Sequence, residues 1–158
     1  MNDAAITKYI VDTYPDADVI SAGSGTFFSC DPEKHWPNFA TLVTSDEYDS
    51  ASDLNRPGVY RLNIGLSKHT FDSLVGSLTE TDYTVLDRII PHPVYAQQHW
   101  VSILNPTETT FDSIVKPLLE EAHARVARGR SRKIKRRDQS SDQRVDAERD
   151  EQRDTRYT

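Results

Sequence analysis

Nine residues, His92 to Trp100 (HPVYAQQHW), gather two histidines, a tyrosine, a tryptophan and two glutamines between apolar runs. Imidazoles can exchange protons near neutral pH, while phenol and indole rings stack on ligands and donate hydrogen bonds. Pro91 and Pro93 fix backbone angles on both sides of His92, holding it extended. Such rigidity suits a binding site. It equally suits a corner in which Tyr95 and Trp100 bury their rings and His92 bonds across the turn. Upstream, VYRLNIG (59–65) places Arg61 and Asn63 on one strand face and Tyr60, Leu62 and Ile64 on the other. If the polar face lines a cavity, a guanidinium and an amide there suit an anionic or carbonyl-bearing ligand; otherwise it faces solvent. The candidate binding set is therefore Arg61, Asn63, His92, Tyr95, His99 and Trp100.

Other chemistries find less support. The five histidines (His35, His69, His92, His99 and His123) show neither i, i+4 pairing nor tight Cys/His spacing. A site made by His92, His99 and Asp31 would need tertiary convergence, and the expectation is no metal. Cys30 follows TFFS and reads as a small buried hydrophobe rather than a nucleophile. SAGSGT lacks the lysine and following helix of a phosphate loop, and no GxSxG elbow occurs, so no catalytic residue and no cofactor are expected. Carboxylates are abundant, and a solvated acidic surface accounts for them. A histidine general base, His92 or His99 with an acidic partner, keeps a small hydrolase or transferase as an alternative.

These residues need a frame. Asn2 and Asp3 can cap a helix carrying Ile6, Tyr9, Ile10 and Tyr14, stopped by Pro15. DVISA (18–22) and TFFS (26–29) flank a glycine turn as a hairpin, and FATLVTS (39–45), VYRLNIG and WVSILN (100–105) alternate as strands. The acid-rich DEYDSASDLNRPG (46–58) reads as a surface loop. Ser67 caps a helix bearing Phe71, Leu74, Val75 and Leu78. Thr79 and Asp82 suggest another helix with Tyr83, Leu86 and Ile90, although LDRII also fits an edge strand. After Asn105-Pro106 comes a last helix, which Pro117 must kink or divide. The pattern implies an α+β domain: an antiparallel or mixed sheet of about 4–5 strands packed against helices.

At 158 residues with a single cysteine, the chain fits one domain without disulfides, and no apolar run approaches membrane-spanning length. No N-terminal stretch looks like a signal peptide, and a reducing cytoplasm is expected. Composition breaks near residue 128: residues 129–158 hold 17 charged residues in 30, with neither Leu, Phe nor Trp. A segment so polar cannot offset its ordering entropy, which implies a folded unit of 1–128 and a disordered charged tail of 129–158. Net charge divides there too, −9 (9 basic, 18 acidic) before and +3 (10 basic, 7 acidic) after. The junction RVARGRSRKIKRR contributes Arg125, Arg128, Arg130, Arg132, Lys133, Lys135, Arg136 and Arg137 with no acid among them. It solubilises the chain, folds back on the acidic core, or binds nucleic acid by counterion release.

TLVTSDEYD, SDLNRPGVYRLNIGLSKHTFDSLVG, DYTVLDRIIPHPVYAQQHWVSILNPTE and VKPLLEEAHARV together closely resemble an uncharacterised bacterial domain-of-unknown-function family, over residues 4 to 128. More distantly, a strand, a helix, an HP-Y-HW turn into a strand and a closing helix look like the YjbR/MmcQ proteins. That likeness implies a double-wing α+β fold, for which DNA binding has been suggested by analogy, with His99 and Trp100 at the strand entrance. The acidic core and the absence of lysines from the sheet strands set this chain apart from a DNA-binding surface. The leading expectation is a non-enzymatic domain that binds a ligand or macromolecule through a surface made by the six candidate residues. Neither a partner nor an oligomeric state follows from the residues.

Overall fold

The computed structural model describes the backbone of residues 1–154 and side-chain surroundings as far as residue 145. Six strands form one sheet in the order β1-β2-β3-β4-β6-β5, with every neighbouring pair antiparallel: β1 (Asp18–Ala22), β2 (Gly25–Ser29), β3 (Asn38–Val43), β4 (Arg61–Gly65), β5 (Ile90–Pro91) and β6 (Trp100–Leu104). Helix α1 (Asp3–Thr13) starts where the Asn2 side chain accepts from the Ala5 amide, and α2 (Lys68–Val75) starts on the equivalent bond from Thr70 to Ser67. The closing helix comprises α3 (Glu108–Thr110), a π turn (Phe111–Val115) and α4 (Lys116–Asp154). Pro117 lies just beyond the π turn, which absorbs the clash and missing donor of an interior proline.

Strand alternation gives the sheet two unlike faces. One is apolar, with Phe28, Phe39, Leu62, Ile64, Val101 and Ile103 buried. Phe39 meets the rings of Tyr14 after α1 and His123 on α4, so the helices cover this face. The opposite face carries Phe27, Thr41, Asn63 and Ser102 in one register row and Val43, Arg61 and Leu104 in the next. Here Val43, Leu54, Ile90 and Leu104 form a small second core, backed by Val59, Tyr83 and Val85.

Two expectations need correction. Residues 79–89 form turns rather than a helix, and the edge-strand alternative for LDRII holds at Ile90, which opens β5 at the edge of the sheet. The Asp82 carboxylate takes the Thr84 amide and hydroxyl locally, Asp87 adopts a positive φ, and Leu86 bridges Leu104 in parallel fashion. Loop 46–58 is not simply solvated surface, because Leu54 and Ser52 are fully buried. Glu47 anchors the loop by accepting from the amide and hydroxyl of Ser24, and the Tyr48 hydroxyl donates to the Ala22 carbonyl.

Residues 1–126 form one compact unit and 127–158 a second. In the second, the helix continues to Asp154, with every side chain from 131 to 145 exposed; residues 155–158 of the predicted tail lie outside the described residues. Among the described residues no helix is long and apolar enough to cross a membrane.

Candidate functional site

The polar face of the sheet is the floor of a cavity of about 570 Å³. Register builds that floor. Thr41, Asn63 and Ser102 sit side by side on β3, β4 and β6, and their side chains join across the strands: Asn63 Nδ2 donates to Thr41 Oγ1 at 3.0 Å, and Ser102 Oγ donates to Asn63 Oδ1 at 2.7 Å. Arg61 is 1 % exposed. Its Nε donates to Asn63 Oδ1 at 3.0 Å and its Nη1 to Ser52 Oγ at 2.9 Å, while Nη1 and Nη2 reach Asp49 Oδ1 and Oδ2 at 3.0 and 2.6 Å.

These bonds occupy four of the five guanidinium N–H groups and the whole of its bidentate edge. Arg61 therefore offers a ligand at most one donor, and its charge is matched inside the protein. The same bonds hold the Asp49 carboxyl below its ordinary range. The floor is electrically balanced.

His92 forms part of the wall. Pro93 has no amide hydrogen, so the next two amides, of Val94 and Tyr95, both donate to His92 Nδ1 at 3.0 Å. With that lone pair taken, the neutral ring carries its proton on Nε2. Burial, reinforced by the nearby Arg61 charge and partly opposed by Asp49, lowers the pKa to about 4. At neutral pH His92 is a fixed hydrogen-bond donor without a free basic nitrogen, a poor general base.

Trp100 enters β6 opposite Gly65 and lies across it: a Cβ added at Gly65 would meet the indole at 2.9 Å. The glycine makes room for the ring. With Phe27, Trp36, Tyr48 and Tyr95, Trp100 gives the cavity an aromatic wall, of which Trp36, Tyr48 and Tyr95 are largely exposed at the rim.

A bulge supplies the last polar group. Ser29 pairs with Asn38 and Phe28 with Ala40, leaving Phe39 as an extra residue in β3. Without it Asn38 would share the helix-covered face with Ala40; with it, Asn38 joins Thr41 in the cavity lining. Its Oδ1 is the one buried side-chain polar atom without a hydrogen-bond partner among the described residues.

A family model described as a family of unknown function (DUF6194) matches residues 1–138. The chain belongs to DUF6194. Comparison with curated proteins and with solved structures returned no match. The family match continues past residue 128 and takes in the whole basic run Arg125–Arg137.

Of the six residues proposed from the DUF6194 sequence, Arg61, Asn63, His92, Tyr95 and Trp100 line this one cavity. His99 does not. It turns the chain into β6 at a φ of 67° and packs near the Phe71 ring, 5.7 Å between centroids. The site is also a concavity rather than a surface, since Arg61, Asn63 and His92 are all buried. Asp49, Ser52 and Asn38 went unrecognised in the sequence, the first two within the acid-rich loop. Asp31 accepts the Glu33 and Lys34 amides and is not among the cavity residues with His92.

Proposed function

We propose that the 1–128 region binds a small, planar, uncharged ligand carrying a carbonyl or ring nitrogen, and does so without covalent chemistry. The observation that carries this reading is the Arg61–Asp49 pair: the cation beneath the cavity is already chelated, so an anionic ligand would find no free bidentate partner and would face a carboxylate. His92 Nε2–H supplies a donor, Asn38 Oδ1 supplies an acceptor, and the aromatic wall supplies stacking area. The lone Cys30, buried as a thiol, fits a reducing cytoplasm. The order of strand, helix, HP-Y-HW turn, strand and closing helix is what supports a YjbR-like ancestry for the fold.

Both tryptophans of the chain, Trp36 and Trp100, line the cavity, so intrinsic fluorescence reports on it directly. The test is titration with matched heteroaromatic pairs such as nicotinamide and nicotinate. Saturable quenching by the amide, weak or absent for the carboxylate and diminished in Trp100→Ala, is expected. Tighter binding of the carboxylates, or no quenching across the panel, would end this reading.

A second reading, nucleic-acid association through Arg125–Arg137, is favoured by one observation: residues 131–137 are exposed along a helix and carry five of the eight basic residues of that run.

A further inference from the structure

On the helix-covered side of the sheet, away from the cavity residues, three chemically matched side chains converge from distant parts of the chain. Asp16 lies in the turn after α1, Cys30 just past the end of β2, and His123 on α4, all within residues 1–126. One donor atom from each, a carboxylate oxygen, the thiol sulfur and an imidazole nitrogen, lies within 4.8 Å of the other two. His123 Nε2 and Asp16 Oδ1 are 2.7 Å apart.

We propose that Asp16, Cys30 and His123 bind a single zinc ion. Zinc favours this mixture of soft sulfur, borderline nitrogen and hard oxygen. Tetrahedral coordination at its usual bond lengths sets neighbouring donors about 3.3–3.7 Å apart, wider than the 2.7 Å between Asp16 and His123 and inside the 4.8 Å within which all three atoms lie. Reaching that spacing needs the Asp16–His123 pair to open slightly. Asp16 can supply the movement, because its side chain is 55 % exposed while His123 is 17 % exposed.

The imidazole is held for the task. Its ring stacks on Tyr14 at 4.3 Å between centroids and takes the Phe39 ring edge-on at 5.3 Å, which fixes its plane. On binding, the imidazole proton moves from Nε2 to Nδ1, and Cys30 releases its thiol proton to solvent, so one proton leaves per ion if the imidazole starts neutral. The ion offsets the cost of a thiolate at a residue only 2 % exposed. That same burial argues against reading the trio as a cysteine hydrolase, whose sulfur must meet a substrate. The exposed Asp16 side leaves the fourth position to water. Zinc would then tie the end of α1, β2 and α4 together.

The experiment uses full-length protein stripped with EDTA and titrated with zinc against a chromophoric competitor, then with cobalt as a spectroscopic substitute. The expected result is one zinc per chain, a thiolate-to-cobalt charge-transfer band, and at least about tenfold weaker binding in Asp16→Asn and in Cys30→Ala. Asp16→Asn alters an exposed side chain, so it keeps the test decisive if Cys30→Ala fails to fold. Absence of stoichiometric binding, a cobalt spectrum without the thiolate band, or affinity unchanged in Asp16→Asn would overturn the site.

Discussion

The guanidinium of Arg61 and the carboxylate of Asp49 meet in two parallel hydrogen bonds of 3.0 and 2.6 Å, joining the middle of the sheet to a loop residue twelve positions earlier. A cation this deeply buried is tolerable because Asp49, Ser52 and Asn63 surround it with acceptors. Removing one partner alone should therefore be severe. Asp49→Asn is expected to cost about 3–5 kcal/mol, leaving an uncompensated charge, whereas Asp49→Leu with Arg61→Met should recover much of that loss. Urea unfolding of the three proteins measures it. A cost below about 1 kcal/mol for Asp49→Asn would show that the pair does not hold the loop.

His92 sets a pH window. Its folded-state pKa of about 4 lies below the ordinary 6.5, so between these values the unfolded chain binds more protons. Its contribution is fully present above about 6.5 and is lost as pH falls toward 4, on the order of 3 kcal/mol across the window. Asp49, held below 3.8 by Arg61, adds a second loss on further acidification through its lowered pKa. His92→Asn preserves an acceptor for the Val94 and Tyr95 amides and should flatten the stability profile between pH 4 and 6.5. An unchanged slope in that variant would assign the pH dependence to other groups.

Gly65 and Trp100 form a paired position in which one residue must lack a side chain. Gly65→Ala places a methyl against the indole, so the ring must leave its present plane. The expected result is a shifted tryptophan emission spectrum and about 1–3 kcal/mol lost stability. Emission and unfolding curves matching the parent protein would show that the indole can yield without consequence.

The strands were legible because their alternation is regular: Tyr60, Leu62 and Ile64 against Arg61 and Asn63 announces a two-faced β4. Only the tight β1–β2 hairpin fixed a direction, and the long connections from β3 to β4 and from β4 to β6 left an antiparallel or a mixed sheet open. Which acid would meet Arg61 was not legible. DEYDSASD holds several carboxylates, and only closure of the loop over the sheet selects Asp49. The bulge at Phe39 was equally hidden, since one extra residue in a pairing leaves no local mark yet decides which face Asn38 joins. The helix expected over Thr79–Ile90 failed for a related reason: Tyr83 and Leu86 have helical spacing, but the Asp82 side-chain bonds and the bridge to Leu104 favour turns. The Asp16, Cys30 and His123 trio escaped any reading of spacing, because three elements far apart in the chain provide it.

The basic run makes its own prediction. Side chains 131–145 are all exposed and none belongs to the buried core, so deleting residues 131–158 should leave the melting temperature of the remaining chain nearly unchanged. The deletion removes Arg132, Lys133, Lys135, Arg136 and Arg137, five of the eight cations in the run. If full-length protein binds a DNA duplex through them, the slope of log affinity against log salt should become shallower by about 0.9 for each phosphate that the shortened chain no longer neutralises. Fluorescence anisotropy across a salt series measures both proteins. A truncated chain that keeps the full slope would place the phosphate-binding cations outside the deleted helix and remove the case for nucleic-acid binding there.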